Sequence, residues 1–303
     1  MSVPFVPFEA EACLDWIALS DALADGHALP RADLGDTFLR RGADTLLSRA
    51  AWIDGMGALV KTASVFPGNA ARGLPTINGG VALYSDADGT LEAMVDFHLV
   101  TKWKTAADSL LAARRLAPES VGGILVVGAG RVAASMIAAY SAAFPQARIA
   151  VWNRSRDRAE RLAGEMQAAI APDLEQGVRT ADIVCCATMS QTPILKGAWL
   201  RPGQHVDLIG AFRADMREAD DAALSRARLF VDSRATTLEH IGELKDPIAR
   251  GVIAPEDVVA DFYELERFRR AEEDITLFKN GGGAHLDLMT ARHILSRWEA
   301  AEG

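Results

Sequence analysis

Residues 123–139 read GILVVGAGRVAASMIAA. A short apolar run, Ile124-Leu125-Val126-Val127, stops at Gly128-Ala129-Gly130, and an Ala-rich helical pattern follows. That is strand, tight turn and helix, with Gly128, Gly130 and Ala133 spelling G-x-G-x-x-A. The two glycines let the backbone turn sharply and come close to a pyrophosphate. Ala133 lets the helix pack near the strand, and the first free N–H groups of the helix point at the phosphates. Gly128, Ala129, Gly130, Arg131, Val132 and Ala133 are therefore the candidate dinucleotide cradle. Alone the motif is weak; its place after a strand and before a helix gives it weight.

Downstream the pattern alternates. Arg148–Trp152 reads as a second strand and Asp157–Ile170 as a second helix. Ala181–Thr188 and His205–Ala211 are buried strands, Leu229–Asp232 is a shorter one, and Asp274–Phe278 adds a last. Such alternation predicts an α/β fold, a Rossmann-type doubly wound parallel sheet with ligand at the carboxyl ends of its strands. Upstream, to about residue 118, that rhythm is absent. Asp15–Leu23 reads as an amphipathic helix, while Leu46-Leu47, Ala58-Leu59-Val60 and Gly80–Tyr84 are strand-like. Asp86-Ala87-Asp88-Gly89 is a hairpin turn between Val81–Tyr84 and Leu91–Val95, so the sheet here is expected to be mostly antiparallel. A helix from Thr101 is closed by Pro118, and a last helix, Ala284–Ala300, is expected to return to the first domain.

Bulk properties narrow the function classes. Among 303 residues the net charge is -9 and no basic cluster relieves it, which argues against a nucleic-acid partner. Three cysteines, two of them adjacent in an apolar run, form neither a disulfide framework nor a zinc spacing, so no metal is expected. The N-terminal residues lack a basic segment, and no apolar stretch reaches membrane-spanning length. The expectation is a cytoplasmic protein with no membrane partner.

The residues after the second strand choose between two dinucleotides. An acid there would bind the ribose 2′-OH and repel a 2′-phosphate. The chain instead offers Asn153-Arg154-Ser155-Arg156, and a guanidinium beside neutral hydrogen-bonding groups suits a dianionic phosphate. NADPH is the expected cofactor, with NADH tolerated. The competing reading is that Ser155 merely caps the next helix.

Three stretches together resemble the ornithine cyclodeaminase/mu-crystallin family. They are Val60-Lys61-Thr62 running into Phe66-Pro67-Gly68-Asn69 and Gly73-Leu74-Pro75, then Thr101–Ala107 (TKWKTAA), then Asp274–Asp287 (DITLFKNGGGAHLD). The resemblance covers nearly the whole chain. It implies an α+β substrate-binding and dimerisation domain built from residues 1–118 and 282–303, beside an NAD(P)-binding Rossmann domain of residues 119–281. A homodimer is likewise a family implication. Members include cyclodeaminases, alanine dehydrogenases and ketimine reductases, so the resemblance fixes the cofactor type better than the reaction.

Carried over by position, Lys61 matches the family's substrate-binding lysine, and Lys104 stands where an arginine usually grips the substrate carboxylate. Arg49 is the candidate for the other carboxylate-binding arginine, in competition with Arg40 and Arg41. Thr188-Met189-Ser190 should border the nicotinamide ribose, and Asn280 and Gly281 the nicotinamide ring. Asp287 should tether the last helix, orient a group at the substrate or relay a proton; His205 and His285 are left as structural. The informative departure ends HVDLIGAF. Cyclodeaminases resemble G-A/G-D there, the aspartate serving as acid/base on the substrate amine, whereas Phe212 stands at that place here. Phe cannot accept a proton, and Asp215 would need a register shift to substitute.

An apolar Phe212 suits the methylenes of a flat ring, unless it only packs in the core. The expected activity is NAD(P)H-dependent reduction of Δ1-pyrroline-2-carboxylate to proline, and of Δ1-piperideine-2-carboxylate to pipecolate. Arg49, Lys61 and Lys104 would hold the carboxylate, and Lys61, or a water it orients, would assist protonation of the imine. The rivals are an ornithine cyclodeaminase, an alanine dehydrogenase-like enzyme and a mu-crystallin-like NADPH and small-ligand binding protein.

Overall fold

The structure, a computed structural model, describes residues 3–302. It divides into two compact units, one comprising the chain up to Lys104 together with the stretch from Gly283, the other Thr105–Gly282. The first boundary lies inside a helix rather than at residue 118. The second half of that helix is bonded within the second unit: Asn280 Nδ2 donates to Thr105 O and to Ser109 Oγ, each at 3.1 Å.

The first unit opens with β1 (Phe5–Val6) and α1 (Trp16–His27), whose start is fixed by Asp15 accepting from Ala18 N at 2.8 Å. A meander of β2 (Asp33–Arg41), β3 (Asp44–Ile53), β4 (Gly57–Val65), β5 (Ile77–Tyr84) and β6 (Leu91–Asp96) follows. The six strands lie in the order β1-β6-β5-β4-β3-β2, antiparallel except for β1 against β6. The hairpin at Asp86–Gly89 falls between β5 and β6 as expected. On β4, Leu59, Lys61 and Ala63 are buried while Ala58, Val60 and Thr62 are half-buried, the period-2 pattern of a sheet with one covered face. Helix α2 (Phe97–Leu116) begins four residues earlier than Thr101, because Asp96 accepts from Leu99 N at 2.8 Å and supplies the cap.

The second unit alternates strand and helix. It runs β7 (Gly123–Val127), α3 (Arg131–Ala143), β8 (Arg148–Trp152), α4 (Arg156–Met166), β9 (Ala169–Ile170), α5 (Leu174–Thr180), β10 (Ile183–Cys186) and β11 (His205–Leu208). Then come α6 (Asp221–Arg226), β12 (Arg228–Val231), α7 (Arg234–Thr237), α8 (Gly242–Ala249), β13 (Val258–Ala260) and β14 (Thr276–Lys279). The eight strands are all parallel, in the order β13-β12-β14-β11-β10-β7-β8-β9. The chain winds outward from β7 in one direction and resumes at β10 in the other, which puts the topological switch point beside the glycine turn. Residues Ile124–Val127 and Ile183–Cys186 are buried throughout, as in strands covered on both faces. The helix expected to reach Ile170 stops at Met166. Gln167 takes a left-handed φ of 54° as its cap, and Ala169–Ile170 then pair with β8 instead.

The last helix, α9 (Ala284–Glu302), belongs to the first unit and packs against α1 and strands β3 to β6. Leu286, Leu288, Ala291 and Ile294 are buried on it, together with Asp287.

Candidate functional site

Within the first unit, three elements converge on Lys61. The Lys61 ammonium, on a residue only 7% exposed, donates to Asp287 Oδ1 on α9 and to Thr101 Oγ1 on α2, both at 2.8 Å. It also lies 4.8 Å from the centroid of the Phe97 ring, one helical turn before Thr101. Arg49 is the cross-strand partner of Lys61 on β3 and so projects from the same face. Its guanidinium grips Asp36 on β2 through two hydrogen bonds, of 2.7 and 3.3 Å. Lys104 is 8% exposed, and its side chain forms no hydrogen bond or ion pair among the described residues.

The electrostatics of this group are lopsided. Burial lowers the Lys61 pKa, and Lys104 and Arg49 push it the same way against the opposing pull of Asp287. Burial would raise the Asp287 carboxyl, yet Lys61, Lys104 and Arg49 together hold it below the ordinary aspartate value. Burial, with His27 and Lys104 adding to it, pushes His285 down to about 3, so its ring is neutral at physiological pH. Three cations thus act on Asp287, whose second oxygen, Oδ2, is buried without a hydrogen bond among the described residues. A group so arranged is suited to take up an anion that carries a hydrogen-bond donor.

In the second unit the glycine turn has the form a dinucleotide requires. Gly128 sits at φ 127°, and a Cβ there would lie 2.6 Å from the Ala187 carbonyl oxygen. Gly130 is the N-cap of α3 without a side-chain cap, and a Cβ on it would meet nothing within 4 Å. The turn is therefore closed on its protein side and open where phosphate would rest, and Ala133 is fully buried under it. Past β8, Ser155 occupies the N-cap of α4, but its hydroxyl makes no cap hydrogen bond. Arg156 is engaged by Glu160 at 2.8 Å, whereas Arg154 is exposed and forms no hydrogen bond or ion pair among the described residues. These residues fit a 2′-phosphorylated dinucleotide.

The loops after β10 and β11 carry Thr188-Met189-Ser190 and Ala211-Phe212. Phe212 is 57% exposed, so it is not a core residue. Asp215, the alternative base, is committed to the Arg213 guanidinium at 2.8 and 2.9 Å and to Gln191 at 2.6 Å. The bond from Arg213 holds its pKa below the ordinary value, which makes it a weak proton acceptor. Asn280, nearly buried, is anchored as described above, and Gly281 N donates to Asp232 Oδ2 at 3.0 Å.

Of the two competitors of Arg49, Arg41 is paired with Asp44 at 3.0 Å with its side chain 81% exposed, and Arg40 lies on the exposed edge strand. Sequence reasoning missed Thr101 as a partner of Lys61, along with the buried ionisable groups Glu218, Asp232, Glu243 and Lys279 of the second unit. For Thr101 a signal existed, since Phe97, Thr101 and Lys104 recur at helical spacing.

A sequence profile of the ornithine cyclodeaminase/mu-crystallin family matches residues 52–302. The Δ1-pyrroline-2-carboxylate reductase of Paracoccus denitrificans is 53% identical over 296 residues, 94% of this chain and 94% of its own. The ketimine reductase mu-crystallin of Rattus norvegicus is 30% identical over 246 residues, 80% of this chain and 76% of its own. Among solved structures, Δ1-pyrroline-2-carboxylate reductase of Thermococcus litoralis, in complex with NADH and L-proline, superposes with a TM-score of 0.88 at 22% identity. That match covers 99% of this chain and 98% of the other, and establishes the likeness of fold.

Proposed function

We propose that this chain, which belongs to the ornithine cyclodeaminase/mu-crystallin family, is an NAD(P)H-dependent reductase of cyclic imine carboxylates. Its substrate is Δ1-pyrroline-2-carboxylate, reduced to L-proline, and by the same chemistry Δ1-piperideine-2-carboxylate, reduced to L-pipecolate. The observation that carries the reading is the surplus of positive charge around Lys61, where Lys61, Lys104 and the half-buried Arg49 stand against Asp287 and Asp36. All three cations lower the pKa of Asp287, and the Lys104 side chain has no hydrogen bond or ion pair among the described residues. A substrate carboxylate supplies the missing anion.

In this reading Lys104 and Arg49 hold the carboxylate. Lys61, fixed in direction by Asp287 and Thr101, donates a proton to the imine nitrogen, for which its lowered pKa prepares it. Protonation leaves the C=N carbon electron-poor, and the nicotinamide, when bound, supplies the hydride that completes the reduction. Gly128–Ala133 cradle the pyrophosphate, and Asn153, Arg154 and Ser155 receive the 2′-phosphate, which favours NADPH over NADH. Thr188, Met189, Ser190, Asn280 and Gly281 border the nicotinamide riboside. Phe212 offers its exposed ring to the methylenes of the substrate. Cyclodeamination is disfavoured because Phe212 accepts no proton and Asp215 is tied to Arg213.

A homodimer and a cytoplasmic location belong to the same proposal. The sheet face opposite Lys61 carries Phe5, Leu39, Leu46 and Trp52, all exposed, a broad apolar surface that a second copy would cover. Cys13, Cys185 and Cys186 are free thiols, in keeping with a reducing compartment. No helix among the described residues is long and apolar enough to cross a membrane. NADPH oxidation, measured side by side with Δ1-pyrroline-2-carboxylate and with pyruvate plus ammonia, tests the function. Turnover with the imine and no added ammonia is expected, and activity confined to pyruvate with ammonia would refute it.

A further inference from the structure

Glu218 lies in the irregular segment between β11 and α6 and is fully buried. Its carboxylate reaches two loops at once. Oε1 accepts from Thr188 N at 2.7 Å and from Thr188 Oγ1 at 2.8 Å, on the loop after β10. Oε2 accepts from Gly210 N at 2.7 Å and Ala211 N at 3.2 Å, on the loop after β11. The two loops approach so closely that a Cβ on Gly210 would lie 1.9 Å from the Thr188 carbonyl oxygen, so only glycine fits. Glu218 is itself held at its backbone. Its N–H and that of Ala219 donate to the two oxygens of Glu243, at 2.6 and 2.9 Å, while its carbonyl accepts from Ile194 and Leu195.

Four donors converge on the two Glu218 oxygens, a demand that only the ionised carboxylate meets in full, and they oppose the burial and the neighbouring Glu243 that push its pKa up to about 8. Its partners are the residues leading into Met189-Ser190 on one side and Phe212 on the other, both at the carboxyl ends of adjacent strands. We propose that Glu218 is a positioning residue: it clamps the loops after β10 and β11 into the arrangement that receives the nicotinamide half of the dinucleotide. The clamp rests on the proposed function, since it presumes that a nicotinamide dinucleotide is the ligand. It has no part in holding the adenosine half, which Gly128–Ala133 and Arg154 serve.

That separation makes the clamp testable. In Glu218→Gln the side chain keeps its shape but offers one acceptor oxygen, and its NH2 faces the N–H donors of one loop. Binding of NADPH and of 2′-phospho-ADP-ribose, which lacks the nicotinamide, is measured by titration on the unmodified chain and on the variant. NADPH is expected to weaken about ten-fold or more while the fragment binds unchanged. Equal weakening of both ligands would mean that Glu218 only supports the unit as a whole, and no weakening of either would mean that the loops hold without it; each overturns the clamp. Should Glu218→Gln fail to fold, Thr188→Val removes only the hydroxyl arm, and the same selective loss is expected at smaller size. An unmodified chain that binds neither ligand would overturn the dinucleotide reading and the clamp with it, an outcome distinct from an unmodified chain that binds both and a variant that does not differ.

Discussion

The two units bury charge in opposite ways. Around Lys61 the first unit assembles cations in excess of carboxylates, and among the described residues the Lys104 side chain makes no hydrogen bond or ion pair. Around Lys279 the second unit gathers Asp207, Glu218, Asp232 and Glu243, carboxyl groups in excess of cations, each with its pKa raised by burial, that of Glu218 to about 8. Most of the latter are consumed internally. Glu218 and Glu243 accept backbone N–H groups, Asp232 accepts from Ser233, Gly281 and Gly282, and Asp207 takes the hydroxyls of Ser109 and Tyr140. Such carboxylates shape loops. In the first unit Lys61 has Asp287 and Thr101 and Arg49 has Asp36, but the Lys104 side chain has no acceptor among the described residues, and a charge left in that state calls for a ligand. The difference separates a charge cluster that binds from one that builds.

The largest break in that contrast comes from Lys61. Lys61→Ala is expected to lower kcat by about 10²–10⁴-fold, as for loss of a general acid, while the Kd for NADPH stays close to that of the unmodified chain. Parallel loss of turnover and nucleotide binding would mean that the cluster is structural. A smaller effect is expected at the other unit. Arg154→Ala should weaken NADPH about ten-fold, as for a charge-assisted phosphate contact, and leave NADH nearly unchanged; equal losses for both nucleotides would contradict the 2′-phosphate assignment. The finest effect concerns pH. The ammonium form of Lys61 is the donor, so kcat/KM falls as pH rises through its pKa, and Asp287 raises that pKa. Asp287→Asn removes the raising charge, so the alkaline limb of the profile should move to lower pH. A limb that stays put, or moves up, would deny Asp287 its hold on Lys61.

Much of the fold was legible because its signals are local. The apolar run Ile124–Val127 and the glycines after it lie within eight residues, and the alternation downstream needs no knowledge of packing. Strand β2 gave no such signal: every one of its residues is exposed, so burial imposes no pattern on DLGDTFLRR. Helix α4 ends at Gln167 without the glycine or proline that marks a stop, and its extension to Ile170 was the natural misreading.

In the site, Lys61 and Asp287 stood out separately through the resemblance. That they meet at 2.8 Å across 226 positions is a product of the tertiary fold. Glu218 was hidden for a different reason. In Arg217-Glu218-Ala219-Asp220-Asp221 it reads as one member of a solvated charge run, and only the packing shows it fully buried. Phe212 was legible as a departure from a family pattern, and its exposure at a strand end removes the reading that it merely fills the core.

Isotope transfer tests the central claim most directly. With NADPH carrying deuterium at the transferable C4 position and Δ1-pyrroline-2-carboxylate as substrate, one deuterium should appear at Cα of L-proline for each NADPH consumed, with no ammonia required. Unlabelled proline formed from ornithine with release of ammonia, and no net consumption of NADPH, would contradict it.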